Sequence, residues 1–275
     1  MTELKKPKVK NTPLLSKRLP ERFKATRERM SNVNIALIFP NLATIVALCM
    51  GLSAVRFALQ ERWDFAVGAI FLAALFDGMD GRIARMLNAT SRFGAELDSL
   101  ADFISFGVSP AIVIYLKSLH QWQGLGWLFA LYFSVCLALR LARFNTISIE
   151  GREPVGTENF FNGCNAPSAA ILALIPTMLD IEFQSWNFWS CPLINALFLF
   201  GIGSLAISVV PMFSFKKVHI ERKYFPLVLV GLTFVAGALF TTPWITLSLV
   251  MFGYLTTIPL SLKAYKKIVS QQKTA

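Results

Sequence analysis

Charged side chains are scarce in this sequence: Asp, Glu, Lys and Arg together make up 16% of its 275 residues. An average soluble domain carries about 25% charged residues, so the composition disfavours a soluble enzyme. Histidine is scarcer still, since the chain contains only His120 and His219. They fall in predicted loops on opposite sides of the membrane bundle that the apolar runs described below predict. A histidine metal site or a histidine-dependent catalytic triad is therefore not expected.

Three further absences narrow the architecture. The cysteines lie in largely apolar stretches without paired spacing, which is typical of small buried residues and not of disulfides or metal ligands. They are Cys49, Cys136, Cys164 and Cys191. The first 34 residues are too charged for a signal peptide. No internal repeat is detectable, whereas secondary transporters commonly contain repeated halves, so a transporter is disfavoured.

Long apolar runs fill most of the sequence, in which hydrophobic residues reach 55%. Eight apolar windows are recognisable, at 35–55, 65–86, 97–119, 124–142, 166–179, 193–212, 224–240 and 244–262. A helix of about 20 residues spans the hydrocarbon core, so these windows predict an all-α membrane bundle of about eight transmembrane helices. All but three of the 27 Lys and Arg residues then fall on one side. By the positive-inside rule, this asymmetry predicts a multi-pass protein of the cytoplasmic (inner) membrane with both termini cytoplasmic.

Four aspartates interrupt this pattern in a predicted helix–turn–helix at the cytoplasmic face. Asp77 and Asp80 are three residues apart and Asp98 and Asp102 are four apart, so each pair shares one helix face. A charge inside the bilayer costs at least about 2.5 kcal/mol, so acids in such a position indicate function. Four carboxylates facing one cleft predict a site for Mg²⁺ or Mn²⁺, with room for two ions. The alternative is a buried ion-pair network with nearby arginines, which are Arg82, Arg85 and Arg92.

The acids belong to a longer pattern, D-x2-DG-x2-AR-x8-G-x3-D-x3-D. It is formed by Asp77, Asp80, Gly81, Ala84, Arg85, Gly94, Asp98 and Asp102. This pattern resembles, without a departure, the signature of CDP-alcohol phosphotransferases. These integral membrane enzymes transfer a substituted phosphoryl group from a CDP-linked donor to an alcohol and release CMP.

The resemblance implies roles for individual residues. The four aspartates are implied to bind metal, and Asp102 is also the implied catalytic acid that ligates metal or deprotonates the acceptor hydroxyl. The cytidine diphosphate part of CDP-diacylglycerol is implied to bind at the glycine, alanine and arginine positions of the motif, which are Gly81, Ala84, Arg85 and Gly94. Asn41 and Thr44 look similar to a further Asn and Thr that approach the nucleotide in that family, although they could instead form hydrogen bonds between helices.

Four other stretches bear on the acceptor alcohol. SFGVSPA, ALRLARFN, FFNGCNAPSAA and ISVVPMFSFKK all look like segments of the bacterial membrane phosphatidylserine synthases. This resemblance implies L-serine as the acceptor and extends over about two-thirds of the chain, from 34 to 224. The sequence departs from those enzymes at NGCNAP, where an apolar residue and a proline are expected before A-P-S.

Arg140 and Arg143 are candidates for the acceptor pocket, because they lie three residues apart at the cytoplasmic end of the fourth predicted helix. The arginine fork matches a carboxylate in two hydrogen bonds, which suits serine. The phosphate of glycerol-3-phosphate would suit it equally well, and both residues could be ordinary positive-inside arginines. Choline as acceptor would need an aromatic cage, for which candidates are Phe144, Phe160 and Phe161.

The sequence divides into four parts. Residues 1–33 are predicted to be a basic cytoplasmic arm, either an amphipathic helix on anionic lipids or a disordered tail. Residues 34–223 are predicted to be the catalytic membrane core, 224–262 two additional transmembrane helices and 263–275 a basic cytoplasmic tail. The family resemblance suggests a homodimer, and no nucleic-acid partner is expected.

Overall fold

The computed structural model describes residues 38–86, 91–150, 160–183, 188–208, 211–213, 223 and 225–258. The basic arm predicted for 1–33 and the basic tail predicted for 263–275 lie outside these residues. Within them almost every residue is helical, so the predicted all-α class is confirmed. Two strands of three residues each are the exception.

The described residues form ten α-helices. They are α1 (Ile38–Leu59), α2 (Trp63–Met86), α3 (Arg92–Asp102), α4 (Ser109–Lys117), α5 (Gln123–Glu150), α6 (Ala166–Ala173), α7 (Ile175–Glu182), α8 (Pro192–Ile207), α9 (Phe225–Thr241) and α10 (Pro243–Thr256). A π-helix (Phe103–Val108) joins α3 to α4, and a 3-10 helix (Leu119–Trp122) precedes α5. Strand β1 (Phe160–Asn162) pairs antiparallel with β2 (Pro211–Phe213).

Three helical stretches are long and apolar enough to cross a membrane. They are Asn41–Leu59, Arg92–Lys117 and Leu119–Ile147, and three shorter apolar helices coincide with α8, α9 and α10. The chain is therefore a membrane protein, whereas eight crossings and two cytoplasmic ends stay predictions. The window predicted at 166–179 is interrupted, because Leu174 separates α6 from α7. Pro176, which has no N–H to donate, lies in the first turn of α7.

Helices α1 and α2 form an antiparallel pair that carries part of the acidic site. Their facing surfaces are lined by fully buried alanines, including Ala54 and Ala58 on α1 and Ala66 and Ala73 on α2. Small side chains let two helix backbones approach closely, which is how membrane helices gain packing contacts. The turn between the helices contains Glu61 with a φ of 57°.

The π-helix joins α3 to α4 in one continuous helical stretch, and hydrogen bonds connect it to α1 and α5. Its wider turn is visible where the N–H of Ser109 bonds the carbonyl of Ile104, five residues earlier. The hydroxyl of Ser105 donates to the Ala47 carbonyl of α1 at 3.3 Å. The hydroxyl of Ser134 on α5 donates to the Gly107 carbonyl at 3.1 Å. π-Helical turns occur frequently at functional sites, and this one directly follows Asp102.

Gly51 lets α1 come close to the π-helix. A Cβ atom at Gly51 would lie 2.7 Å from the Cα of Ser105 and 2.5 Å from its Oγ. We expect Gly51→Ala to lower the free energy of unfolding by about 1–3 kcal/mol, the usual cost of overpacking, measured as a lower thermal midpoint in detergent. Gly201→Ala is the matched control, because a Cβ there meets nothing within 4 Å. An unchanged midpoint for Gly51→Ala would contradict this close approach.

The end of the bundle away from the aspartates carries its own polar network. Lys117 at the end of α4 forms a salt bridge with Asp180 of α7, with 2.9 Å between Nζ and Oδ2. Ser190, just before α8, donates its hydroxyl to the other oxygen of Asp180. The Lys117 ammonium also lies 5.0 Å from the ring centroid of Trp63. This network joins the ends of four helices, about 21 Å along α2 from Asp77 at 1.5 Å per residue.

Candidate active site

Three carboxylates converge between α2 and α3. Oxygen atoms of Asp77, Asp98 and Asp102 all lie within 4.8 Å of one another, and the three side chains are half-buried. The four-residue spacing of Asp98 and Asp102 places both on one face of α3, and this face is turned toward Asp77 on α2. The helix–turn–helix predicted from the sequence therefore brings these three acids together.

Asp80 lies beside this group and is held by α1. It is only 5% exposed, and its Oδ2 accepts a hydrogen bond of 2.8 Å from the hydroxyl of Thr44. This bond links α1 to α2. It is a hydrogen bond between helices, the alternative role that the sequence left open for Thr44. The role of Thr44 at the nucleotide stays a prediction. Asp80 also interacts electrostatically with Asp77 and Asp98, so all four predicted acids belong to one negatively charged cleft.

Gly94 lets α1 come close to the start of α3. A Cβ atom at Gly94 would lie 2.9 Å from Oδ1 of Asn41. The N–H of Gly94 donates to the hydroxyl of Ser91, which caps the helix at 2.9 Å. Asn41, predicted at the nucleotide, is thereby placed at the N-terminal end of the helix that carries Asp98 and Asp102.

The surface of α2 next to the acids is open. A Cβ atom at Gly78 would meet nothing within 4 Å, and one at Gly81 would meet only Nη1 of Arg85, at 4.0 Å. The side chain of Ala84 lies outside the described part of the structure. An open helix surface between carboxylates and a guanidinium has room for a flat base or a diphosphate, as the sequence predicts for this side of the motif.

Arg140 approaches the acids from α5. Its guanidinium interacts electrostatically with Asp102 and Asp77, although no ion pair of 4.0 Å or less joins them within the described residues. Its Nε is buried and, among the described residues, has no hydrogen-bond partner. The described residues likewise contain no ion pair between the four acids and Arg82, Arg85 or Arg92, so they do not form the alternative ion-pair network.

Arg143 contacts a different part of the protein. Its Nη1 donates to the carbonyl of Ile207 at 2.7 Å, and its Nη2 donates to the carbonyl of Ser208 at 3.3 Å. The carbonyls at a helix C-terminus lack intrahelical partners, so Arg143 binds the end of α8. The structure thus places Arg140 beside the acids and Arg143 against α8, although both were predicted for one acceptor pocket.

Comparison with known proteins identifies the family. The family model described as CDP-alcohol phosphatidyltransferase matches residues 37–202, more than half of the chain. The chain belongs to this family. The CDP-diacylglycerol–serine O-phosphatidyltransferase of Mycobacterium tuberculosis (strain H37Rv) is 35% identical over 230 residues, which cover 83% of this chain and 79% of that enzyme. The Helicobacter pylori (strain 26695) enzyme of the same name is 34% identical over 223 residues, 81% of this chain and 90% of that enzyme.

A shorter match comes from Bacillus subtilis (strain 168). Its enzyme of that name is 33% identical over 178 residues, 65% of this chain and 91% of that enzyme. The assignment to the CDP-alcohol phosphotransferases, made from the aspartate motif, is thereby confirmed. The match to the family model contains the whole motif and Arg140 and Arg143, whereas α9 and α10 follow it in the chain.

The acids of this CDP-alcohol phosphotransferase suit a divalent cation. The donor set consists of carboxylate oxygens, which Mg²⁺ and Mn²⁺ prefer, and the three oxygens within 4.8 Å are close enough to share one ion. Without a cation, carboxylates this close repel one another. Asp77, Asp98 and Asp102 would therefore hold the ion, with Asp80 at the edge of the same cleft.

The sequence did not predict a role near the site for three residues, which are Ser99, Asn145 and Tyr254. Asn145 on α5 hydrogen-bonds with Ser99 on α3, at 2.9 Å from its Nδ2 to the serine Oγ, and so supports the helix that carries Asp98. The phenol of Tyr254 on α10 interacts electrostatically with Arg140 and Cys164. Asn145 ends the stretch ALRLARFN, which offered a signal. No signal marked Tyr254, because it lies in a helix beyond the family match.

Proposed function

We propose that this chain is a phosphatidylserine synthase, which transfers the phosphatidyl group of CDP-diacylglycerol to L-serine and releases CMP. The observation that carries the proposal is the group of three carboxylates on α2 and α3, two of which interact electrostatically with Arg140. The names of the relatives from three bacterial genera support the donor and the acceptor.

The donor would lie along the open surface of α2. In this proposal the cytidine diphosphate rests against Gly81 and Ala84, its phosphates approach Arg85, and Asn41 and Thr44 border it from α1. The four aspartates would hold Mg²⁺ or Mn²⁺, two ions in our proposal, which when bound neutralise the diphosphate and stabilise the leaving CMP. The apolar side chains of Met79 and Met86 on the same helix are exposed. The acyl chains of the donor would pass this part of α2 and lie in the bilayer.

Asp102 would act as the general base. Its carboxylate takes the proton of the serine hydroxyl while the hydroxyl oxygen forms a bond to the β-phosphorus. The bond from that phosphorus to the CMP oxygen breaks in the same displacement, and CMP leaves with the electron pair. Asp102 interacts electrostatically with both Asp77 and Arg140, which supports this role because Arg140 is the residue that would hold the acceptor.

Arg140 would bind the carboxylate of serine through its guanidinium. Glycerol-3-phosphate is the second candidate acceptor, because a guanidinium binds phosphate equally well. Choline is the other alternative acceptor; of its three candidate cage residues Phe144 is 54% exposed, and the side chains of Phe160 and Phe161 lie outside the described residues.

The setting in the membrane is also proposed. The chain would cross the inner membrane about eight times, with both ends and the aspartates at the cytoplasmic face and the basic arm on anionic lipids. A homodimer would be its assembly. A fusion of a cytoplasm-active reporter to residue 275 would test the location of the C-terminus.

The acceptor is decided by CMP release from the purified protein in detergent with CDP-diacylglycerol and Mn²⁺. We expect release with L-serine and none with glycerol-3-phosphate, inositol or choline. In Arg140→Gln the KM for serine should rise about 10- to 100-fold, as expected when a hydrogen bond between charged groups is lost. The KM for CDP-diacylglycerol should change little. Release with glycerol-3-phosphate alone would contradict the serine proposal and favour the second candidate.

A further inference from the structure

Four buried polar side-chain atoms have no hydrogen-bond partner among the described residues, and two of them are Nε of Arg140 and Oδ1 of Asn165. Burying a polar atom without a partner is costly, so such atoms in a native protein call for an explanation such as a ligand. One of the two is a donor and the other is an acceptor. Asn165 is at the N-cap position of α6, yet its side chain makes no capping hydrogen bond.

The segment that carries Asn165 lies against Arg140. Cys164, its neighbour in the chain, is fully buried and lies close enough to the Arg140 guanidinium for that charge to act on the pKa of its thiol. Burial raises the pKa of the Cys164 thiol to about 12, although Arg140 opposes this shift. The thiol is therefore uncharged at neutral pH and does not neutralise the guanidinium. Tyr254 of α10 approaches the same two residues.

This segment is held in place from two sides. Gly163 has a φ of +78°, and a Cβ atom there would lie 2.7 Å from the carbonyl oxygen of Ser208. Arg143 binds that carbonyl and the one before it. Strands β1 and β2 pair next to this contact, with Asn162 opposite Pro211. The turn before Asn165, the end of α8 and α5 are thus joined, which fixes the position of Asn165 relative to Arg140.

A ligand that satisfies both atoms needs an anionic acceptor for Arg140 and a donor for Asn165. An α-amino acid carries both, as a carboxylate and an ammonium group attached to the same α-carbon. We propose that Asn165 binds the ammonium group of the amino-acid acceptor whose carboxylate is bound by Arg140. This inference rests on the proposed function and makes Asn165 a residue that determines acceptor specificity.

An acceptor without an ammonium group would leave the buried Oδ1 unpaired, and sites built around a hydrogen bond reject such analogues strongly. Glycerol-3-phosphate and 3-hydroxypropionate would both be disfavoured for this reason.

The test compares two acceptors that differ only in the ammonium group, L-serine and 3-hydroxypropionate. The wild type should prefer serine in kcat/KM by about 10- to 100-fold, the range for a hydrogen bond to a charged group. Asn165→Leu should bring that ratio close to one through a higher KM for serine. Asn165→Asp keeps an oxygen at the same place and adds a negative charge beside the ammonium group, so it should increase the preference for serine.

Controls separate this role from a structural one. Thr177→Val removes another buried oxygen without a partner in the described structure, and it should leave the ratio unchanged. A loss of activity with both acceptors alike, together with a lower thermal midpoint, would assign Asn165 a structural role and overturn the inference. Should Asn165→Leu fail to fold, an unchanged or lower preference in Asn165→Asp would overturn it too. A wild type that does not use serine would instead refute the proposed function itself.

Discussion

Asp102→Asn will reduce CMP release with serine by about 10²–10⁴-fold, the contribution typical of a positioned general base. The amide has nearly the shape of the carboxyl group, but it cannot accept the proton of the serine hydroxyl. Asp102 lies within 4.8 Å of Asp77 and Asp98, so the variant also changes the donor set for the cation. The measurement is CMP release at saturating serine over a series of Mn²⁺ concentrations.

The series of Mn²⁺ concentrations separates the two effects. If Asp102 moves the proton, excess Mn²⁺ will not restore the rate, whereas a residue that only binds metal will be rescued. Asp64→Asn is the control, because Asp64 is an exposed acid in the first turn of α2, the same helix as Asp77 but its opposite end. It should keep its activity. An Asp102→Asn protein with more than a tenth of the wild-type rate would exclude the proposed base.

Removal of divalent cations with EDTA will abolish CMP release, and Mg²⁺ or Mn²⁺ will restore it. The physical reason is that the carboxylates at this site repel one another without a cation, so the ion both completes the site and stabilises the fold. At about 100 times its Kd, a bound ion adds about 2.7 kcal/mol to the free energy of unfolding. The thermal midpoint should therefore rise when Mn²⁺ is added to the EDTA-treated protein.

The double variant Asp77→Asn/Asp98→Asn provides the comparison for this midpoint. It keeps the size of both side chains but removes two of the three converging charges, so its midpoint should not respond to Mn²⁺. Full activity after EDTA treatment would contradict a metal-dependent reaction. An equal rise in the midpoint of the double variant would show that the ion binds elsewhere.

The acidic site could be predicted because its geometry is local. Asp98 and Asp102 share a face of one helix by their spacing, and that helix begins only six residues after the helix of Asp77 ends. The composition sufficed for the all-α class for a similar reason, since apolar runs of about 20 residues leave few alternatives. Both inferences need only contacts between residues close in sequence.

The features that escaped prediction depend on residues far apart in the chain. Arg143 binds carbonyls at the end of α8, more than 60 positions later, and no spacing rule connects the two. Tyr254 lies within the electrostatic influence of Arg140 but belongs to a helix that follows the family match. The strands are three residues each, too short for a periodic pattern. Asn165 was visible only as a departure from a resemblance, and its lack of a partner needed the packed structure.

The π-helix determines how α4 is rotated about the helix axis relative to α3 in the continuous helical stretch from Arg92 to Lys117. A residue advances an α-helix by roughly 100°, and a π-helical turn contains about one residue more than an α-helical turn. Compared with a continuous α-helix, the extra residue therefore changes the rotation of α4 relative to the acids on α3 by about that angle. Asp98 and Asp102 can therefore face the cleft while Val113 and Ile114 are fully buried in the apolar core. Deleting one residue from Phe103–Val108 would put these two faces out of phase, an error that no side-chain substitution could repair.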